Sequence, residues 1–189
     1  MNSRLTFLLP LAALCALIAS PAAAQRVDPA GSELVFVTTQ MGVAVEGRFQ
    51  QWSAQVALDP RTPEGGQMGL RIQMDSVAFA APEVTTEAQR PLWLDTARFP
   101  QAVFESTGIR AAAGGQFEMN GRLTLKGQTH AVTVPMSVTQ SGANATAVGN
   151  FTLQRSDFRI GDGEWTDASL VAPEVQVRFR LALSGLATP

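Results

Sequence analysis

Cysteine, histidine and lysine are almost missing from this chain, which holds one of each: Cys15, His130 and Lys126. Cys15 lies in an apolar run from Leu5 to Ala19 that follows Arg4 and ends in Ser20-Pro21-Ala22-Ala23-Ala24-Gln25. A bilayer-crossing helix needs about 20 apolar residues. This run is shorter, is broken by Pro10 and ends in a small-x-small pattern, so it reads as a secretory signal peptide cut after Ala24, with export to the periplasm expected. Leu14 stands before Cys15 where a lipidated cysteine needs a small residue, so no permanent membrane anchor is expected. Losing residues 1–24 removes the one cysteine, and with it disulfides and thiolate metal sites. The remaining 165 residues (189 − 24) form one domain, 25–189, stabilised by its apolar core alone.

The lone histidine has no second imidazole with which to hold a metal, and no Gly-x-Ser-x-Gly elbow offers a nucleophile. His130, just past Gly127-Gln128, reads as an exposed turn residue. No catalytic residue, metal site or cofactor is expected. Without Arg4 the charge is 13 basic (14 − 1) against 16 acidic, a net of −3, with the signs interspersed, which gives nucleic acid nothing to bind. The densest acids are Asp157, Asp162, Glu164 and Asp167, interleaved with Gly161, Gly163 and Trp165. Their spacing does not follow a calcium loop, and a solvated loop is the plain reading. A carboxylate-dependent lipid or sugar hydrolase working through this stretch is kept as an alternative.

What the chain does have is alternation. Met68 to Asp75, Phe117 to Lys126 and Val175 to Leu181 each place apolar and polar residues in turn, giving strands with one oily and one wetted face. Further strands read at Leu34–Thr39, Val43–Leu58 (with a bend near Gln50-Gln51-Trp52), Ala102–Ile109, Ala131–Thr139 and Thr146–Gln154. The turn-rich Asp59 to Gly66 and the short Gly127-Gln128 and Ser141 to Asn144 separators imply antiparallel neighbours. Pro82 to about Leu94 breaks the rhythm and reads as one short helix. The expected fold is all-β: an eight-stranded antiparallel lipocalin-like barrel with one short helical insertion, wide enough for a small ligand.

The side chains expected to line it are Leu34, Phe36, Phe49, Met68, Leu70, Ile72, Met74, Phe104, Phe117, Met119, Met136, Phe151 and Phe179, some of them serving as plain core. Methionine suits a flexible hydrocarbon because its own shape adapts. Arg155 and Asp157 read as a surface ion pair, or Arg155 sits at the barrel mouth and holds a ligand's polar head. Trp52, Trp93 and Trp165 read as core packing.

Several segments together resemble one family. They are Gly31-Ser32-Glu33-Leu34-Val35-Phe36, Val45-Glu46-Gly47-Arg48-Phe49, Trp93-Leu94-Asp95-Thr96-Ala97-Arg98-Phe99-Pro100, Ala102-Val103-Phe104-Glu105-Ser106, Gly121-Arg122-Leu123-Thr124-Leu125-Lys126-Gly127-Gln128-Thr129-His130 and Arg155-Ser156-Asp157-Phe158. The chain resembles the YceI-like family of secreted, lipocalin-like barrels. That resemblance implies a periplasmic protein holding a long amphiphile, such as a polyisoprenoid, an isoprenoid quinone or a fatty-acid amide, with no chemical step. Two positions depart from the family pattern: Gln40 stands where many members carry histidine, and Arg159 follows Asp157-Phe158 where glycine is usual. An envelope interaction module without ligand is the second expectation, and a homodimer through an exposed strand face is left open.

Overall fold

The computed structural model describes residues 25–186; the expected leader at 1–24 and residues 187–189 lie outside the described residues. In chain order the elements are β1 (Arg26–Gln40), β2 (Val43–Phe49), β3 (Trp52–Ala57), β4 (Gln67–Gln73), β5 (Val77–Phe79), α1 (Pro82–Ala88), β6 (Gln101–Ala111), β7 (Gln116–Leu125), β8 (Gln128–Ser141), β9 (Asn144–Gln154) and β10 (Glu174–Ser184). All ten strands join one antiparallel sheet in the order β3-β4-β6-β7-β8-β9-β10-β1-β2-β5.

Ten strands stand where eight are expected, and two bends account for the difference. β2 and β3 are one strand bent at Gln50-Gln51, and β4 and β5 are one strand bent through a 3-10 turn at Met74–Ser76. The ladder crosses both bends: Gln73 N–H donates to Gln51 O at 2.9 Å, and Gln50 N–H to Ser76 O at 3.1 Å. The buried Ser76 hydroxyl donates to Gln73 O at 2.6 Å and accepts from Gln51 N–H at 3.0 Å. Counted through their bends, eight strands close a ring. A further bridge from Gln25 to Val56 ties the start of the chain to β3, and the Gln25 amide bonds the Leu58 backbone at 2.7 and 3.2 Å. β1 begins well before the expected Leu34, because the turn-like Asp28-Pro29-Ala30-Gly31 is a bulge inside the strand rather than its boundary.

The wall has one incomplete seam. The β8–β9 ladder stops at Met136↔Gly149, although β8 runs on to pair with β7 and β9 runs on to pair with β10. The next β8 residue toward the opening is Pro135, which has no N–H to give the ladder. A 3-10 turn at Arg155–Phe158 covers the gap. Phe158, 1% exposed, meets the His130 ring edge-on at 5.0 Å. His130 is therefore a half-buried strand residue and not the exposed turn residue expected, because a segment distant in sequence folds over it.

Candidate ligand cavity

Inside the ring lies one large cavity of about 500 Å³, open at one end. Its wall is built from the inward rows of the strands: Leu34 and Phe36 on β1, Phe49 on β2, Met68, Leu70 and Ile72 on β4, Phe104 on β6, Met119, Leu123 and Leu125 on β7, Val134 on β8, Phe151 and Leu153 on β9, and Val177 and Phe179 on β10. Each is two residues from an inward neighbour or faces one across the sheet, which is the geometry that alternation prescribes. Met74, in the bend of the β4–β5 strand, closes the row at 1% exposure.

Three phenylalanines lie over glycines, which keeps the bore open. Phe36 covers Gly47 on β2, Phe104 covers Gly121 on β7, and Phe179 covers Gly149 on β9. A Cβ at any of the three glycines would collide with the ring above it. The missing side chains thus let the rings lie close against the wall instead of filling the centre.

The mouth is framed by Gln40 and Met41 at the β1–β2 turn, by Glu83, Val84 and Glu87 on α1, by Trp93 and Leu94, and by Ile160, Trp165, Leu170 and Val171. Met41 N–H donates to Leu170 O at 2.9 Å, and Ala172 N–H to Thr39 O at 2.8 Å, so the two sides of the rim are fastened together. Met41 is 76% and Leu170 37% exposed, so the apolar lining continues outward past the opening. Trp93 packs at a tilt of 49° against Trp165 with ring centres 5.4 Å apart, and both are in the wall, while Trp52 stays outside the cavity in the packing around the core. The buried Trp93 indole N–H has no partner among the described residues. Such an orphan donor costs about 1–3 kcal/mol.

Arg155 departs from both readings of the sequence. It follows the last residue of β9, is 4% exposed, and spends all five of its N–H groups on backbone carbonyls. Nε donates to Ala172 O at 3.0 Å, Nη1 to Ile160 O and Gly161 O at 2.9 Å each, and Nη2 to Trp165 O at 2.5 Å and Val171 O at 2.8 Å. It is neither a surface partner of Asp157 nor a hand for a ligand's head; it staples the 160–172 loop into the rim. Burial holds its pKa below the usual arginine range, with Asp162 pulling the other way. Lys126 braces the same rim, donating to Arg159 O at 2.7 Å and Leu92 O at 3.3 Å, and burial lowers its pKa too, against the pull of Asp162 and Asp95.

Two expected lining residues lie elsewhere. Phe117 and Met136 are in the packed core toward the closed end, where Met136 borders only a void of about 10 Å³. Leu123, Leu125, Val134, Leu153 and Val177 sit in inward rows that alternation does reveal, whereas nothing near Ile160, Leu170 or Val171 in the sequence marks a rim. None of Asp157, Asp162, Glu164 and Asp167 lines the cavity; Asp167 caps Ser169, which lowers its pKa through two hydrogen bonds.

A closed antiparallel β-ring around one apolar cavity defines the class of lipocalin-like barrels. The chain belongs to the YceI-like family: the pattern of the YceI-like domain matches residues 25–183. It is 39% identical to BcnA of Burkholderia cenocepacia, whose crystal structure superposes with a TM-score of 0.81 over 83% of this chain and 99% of that one. A UPF0312 protein of Shewanella baltica is 30% identical over 153 residues, 79% of this chain and 75% of its own length. The fold also matches, at 19% identity and a TM-score of 0.68 over 86% of this chain and 98% of the other, a structure described as a polyisoprenoid-binding domain from Saccharophagus degradans.

Proposed function

We propose that the protein is a carrier that, exported to the periplasm and cut after Ala24, takes one long-chain amphiphile of the isoprenoid or acyl type into its barrel without chemical change. The observation that carries this reading is the apolar cavity of about 500 Å³, open at one end, within the range of ~300–1,000 Å³ over which small-molecule sites fall. Burial supplies the affinity. At about 0.8 kcal/mol per methylene, ten sheltered carbons give a gross gain near 8 kcal/mol before association and ordering costs. Family membership and the polyisoprenoid-binding description of a structural neighbour support the same class of ligand. The cavity weighs against the interaction-module reading, which calls for a filled barrel. The exposed position of Asp157, Asp162, Glu164 and Asp167 outside the cavity weighs against the hydrolase.

Native mass spectrometry of the protein from Gln25 onward, purified from its own periplasm without detergent, tests the proposal. A stoichiometric isoprenoid or acyl species released by solvent is the expected result. An apo mass unchanged after incubation with quinones, polyprenyl phosphates and fatty amides overturns it.

A further inference from the structure

We infer that the ligand enters tail first and that Met68, Met119 and Phe179 form a floor that stops the tail, so that the protein discriminates hydrocarbon chains by length, about twelve extended carbons reaching from mouth to floor. The inference rests on the carrier reading above and adds the orientation of the chain and the residues that measure it.

Orientation follows from where the polar side chains are. Apart from the Trp93 and Trp165 indoles at the same end, those on the lining are Thr38, Gln40, Glu83, Glu87 and Arg155, and all belong to the mouth. Thr38 and Gln40 lie at the end of β1, Glu83 and Glu87 are on α1, and Arg155 staples the rim. Deeper in the bore the lining side chains are all apolar. A polar head sent to the bottom would lose its water with no side chain to bond, whereas a head left at the mouth stays hydrated.

Depth is set by three side chains. Met68 on β4, Met119 on β7 and Phe179 on β10 border both the cavity and the void of about 10 Å³ at the closed end, so they stand between the two. In the sheet β6 separates β4 from β7, and β8 and β9 separate β7 from β10, so the three reach in from different sides of the ring. Beneath them Ile109, Met136, Leu181 and Leu183 are buried and border the void alone. From Met119 to Leu125, where β7 ends at the mouth, the strand climbs six residues. That is about 20 Å along the strand and, at the roughly 40° tilt of barrel strands, about 15 Å along the bore. A straight hydrocarbon advances about 1.25 Å per carbon, the zigzag projection of a ~1.5 Å bond, so about twelve carbons fill that depth. A longer tail has to fold back or leave its surplus in water.

The test measures 1-alkanols of 6 to 18 carbons by competition against a fluorescent acyl probe. Each added carbon is expected to tighten binding about fourfold until the tail meets the floor, and by less than about twofold beyond a break near twelve. In Met119→Ala the break is expected to move out by about two or three carbons, because losing the thioether opens the floor onto the void. Met68→Ala, at a half-buried position, is expected to do the same and decides the matter if Met119→Ala does not fold. Met136→Ala, beneath the floor, leaves the break in place. A series without a break, a break unmoved in the folded floor variants, or an equal shift in Met136→Ala overturns the inference. Failure of every alkanol and of the acyl probe to bind instead overturns the carrier reading itself.

Discussion

The two ends of the barrel are made from the same strands with the same alternation, yet one is solid and the other hollow. Toward the closed end Val56, Leu58, Ile109, Phe117, Met136, Leu181, Leu183 and Leu186 are all buried, and the void among them is about 10 Å³, scarcely room for one water. Toward the mouth the inward residues Phe36, Phe49, Leu70, Phe151, Leu153 and Val177 are only half buried, because their free surface faces the cavity. Two devices produce the difference. At the closed end, segments outside the ring fold inward: Leu58 at the end of β3 and Leu186 beyond β10 join the core. At the mouth, by contrast, phenylalanines lie flat over glycines and the loops are held at the rim by Arg155 and Lys126. An amphipathic strand pattern thus specifies a wall, and end caps decide whether the wall encloses a core or a cavity.

The largest expected effect breaks the mouth at its staple. Arg155→Met leaves five carbonyls without donors in a buried setting and should cost at least about 4 kcal/mol of stability. Arg155→Lys, with three donors on one nitrogen, should rescue little of this. Urea unfolding measures the loss, and hydrogen exchange should show residues 160–172 opening before the strands; an unfolding midpoint within error of wild type would show that the staple is dispensable.

A matched pair of truncations then sets the two ends against each other. Met136→Ala removes a methionine from tight packing and should cost about 3 kcal/mol. Leu70→Ala enlarges a space that already exists, so about 1 kcal/mol is expected by the same cavity argument. Binding should respond in reverse, with acyl-probe affinity falling about tenfold in Leu70→Ala and staying unchanged in Met136→Ala. Equal responses in both assays would erase the distinction between core and cavity. Gly121→Ala sharpens the point further, since its Cβ drives the Phe104 ring toward the bore and approaches Glu105 O at 2.7 Å. Overpacking of that kind should cost about 2 kcal/mol and shrink the cavity. Gly69→Ala, with nothing within 4 Å of the added Cβ, is the control and should unfold as wild type does.

The sequence carried the ring clearly and the cavity only in part. Period-two alternation located the eight walls, because side-chain direction in a strand is a local property, and Gly47 with the Gln50-Gln51-Trp52 step marked the bend between β2 and β3. It missed β5, three residues long, and the first part of β1, whose bulge looks like a turn. Which half of each strand faces empty space is not a local property: Phe117 and Met119 are two residues apart on one face of β7, and only Met119 reaches the cavity. The role of Arg155 was hidden for the same reason, since its five acceptors lie between 5 and 17 residues further along the chain and are all main-chain atoms, which no side-chain motif announces.

The smallest expected effect returns to the rim, at Arg159. Arg159 closes the 3-10 turn over the β8–β9 seam with φ at 54°, in the left-handed region where a Cβ crowds the backbone and glycine does not. The side chain is exposed, and the contacts that matter come from the backbone: its N–H donates to Ser156 O at 3.0 Å and its carbonyl accepts from Lys126. Arg159→Gly keeps both bonds and removes the crowding, so the protein should gain about 1 kcal/mol in urea unfolding. Acyl-probe binding should not change, because Arg159 does not line the cavity. A gain in stability with unaltered affinity would show that the mouth is a rigid frame whose strain is separable from what it admits; a loss of affinity would make the cation at this position part of the mouth's chemistry.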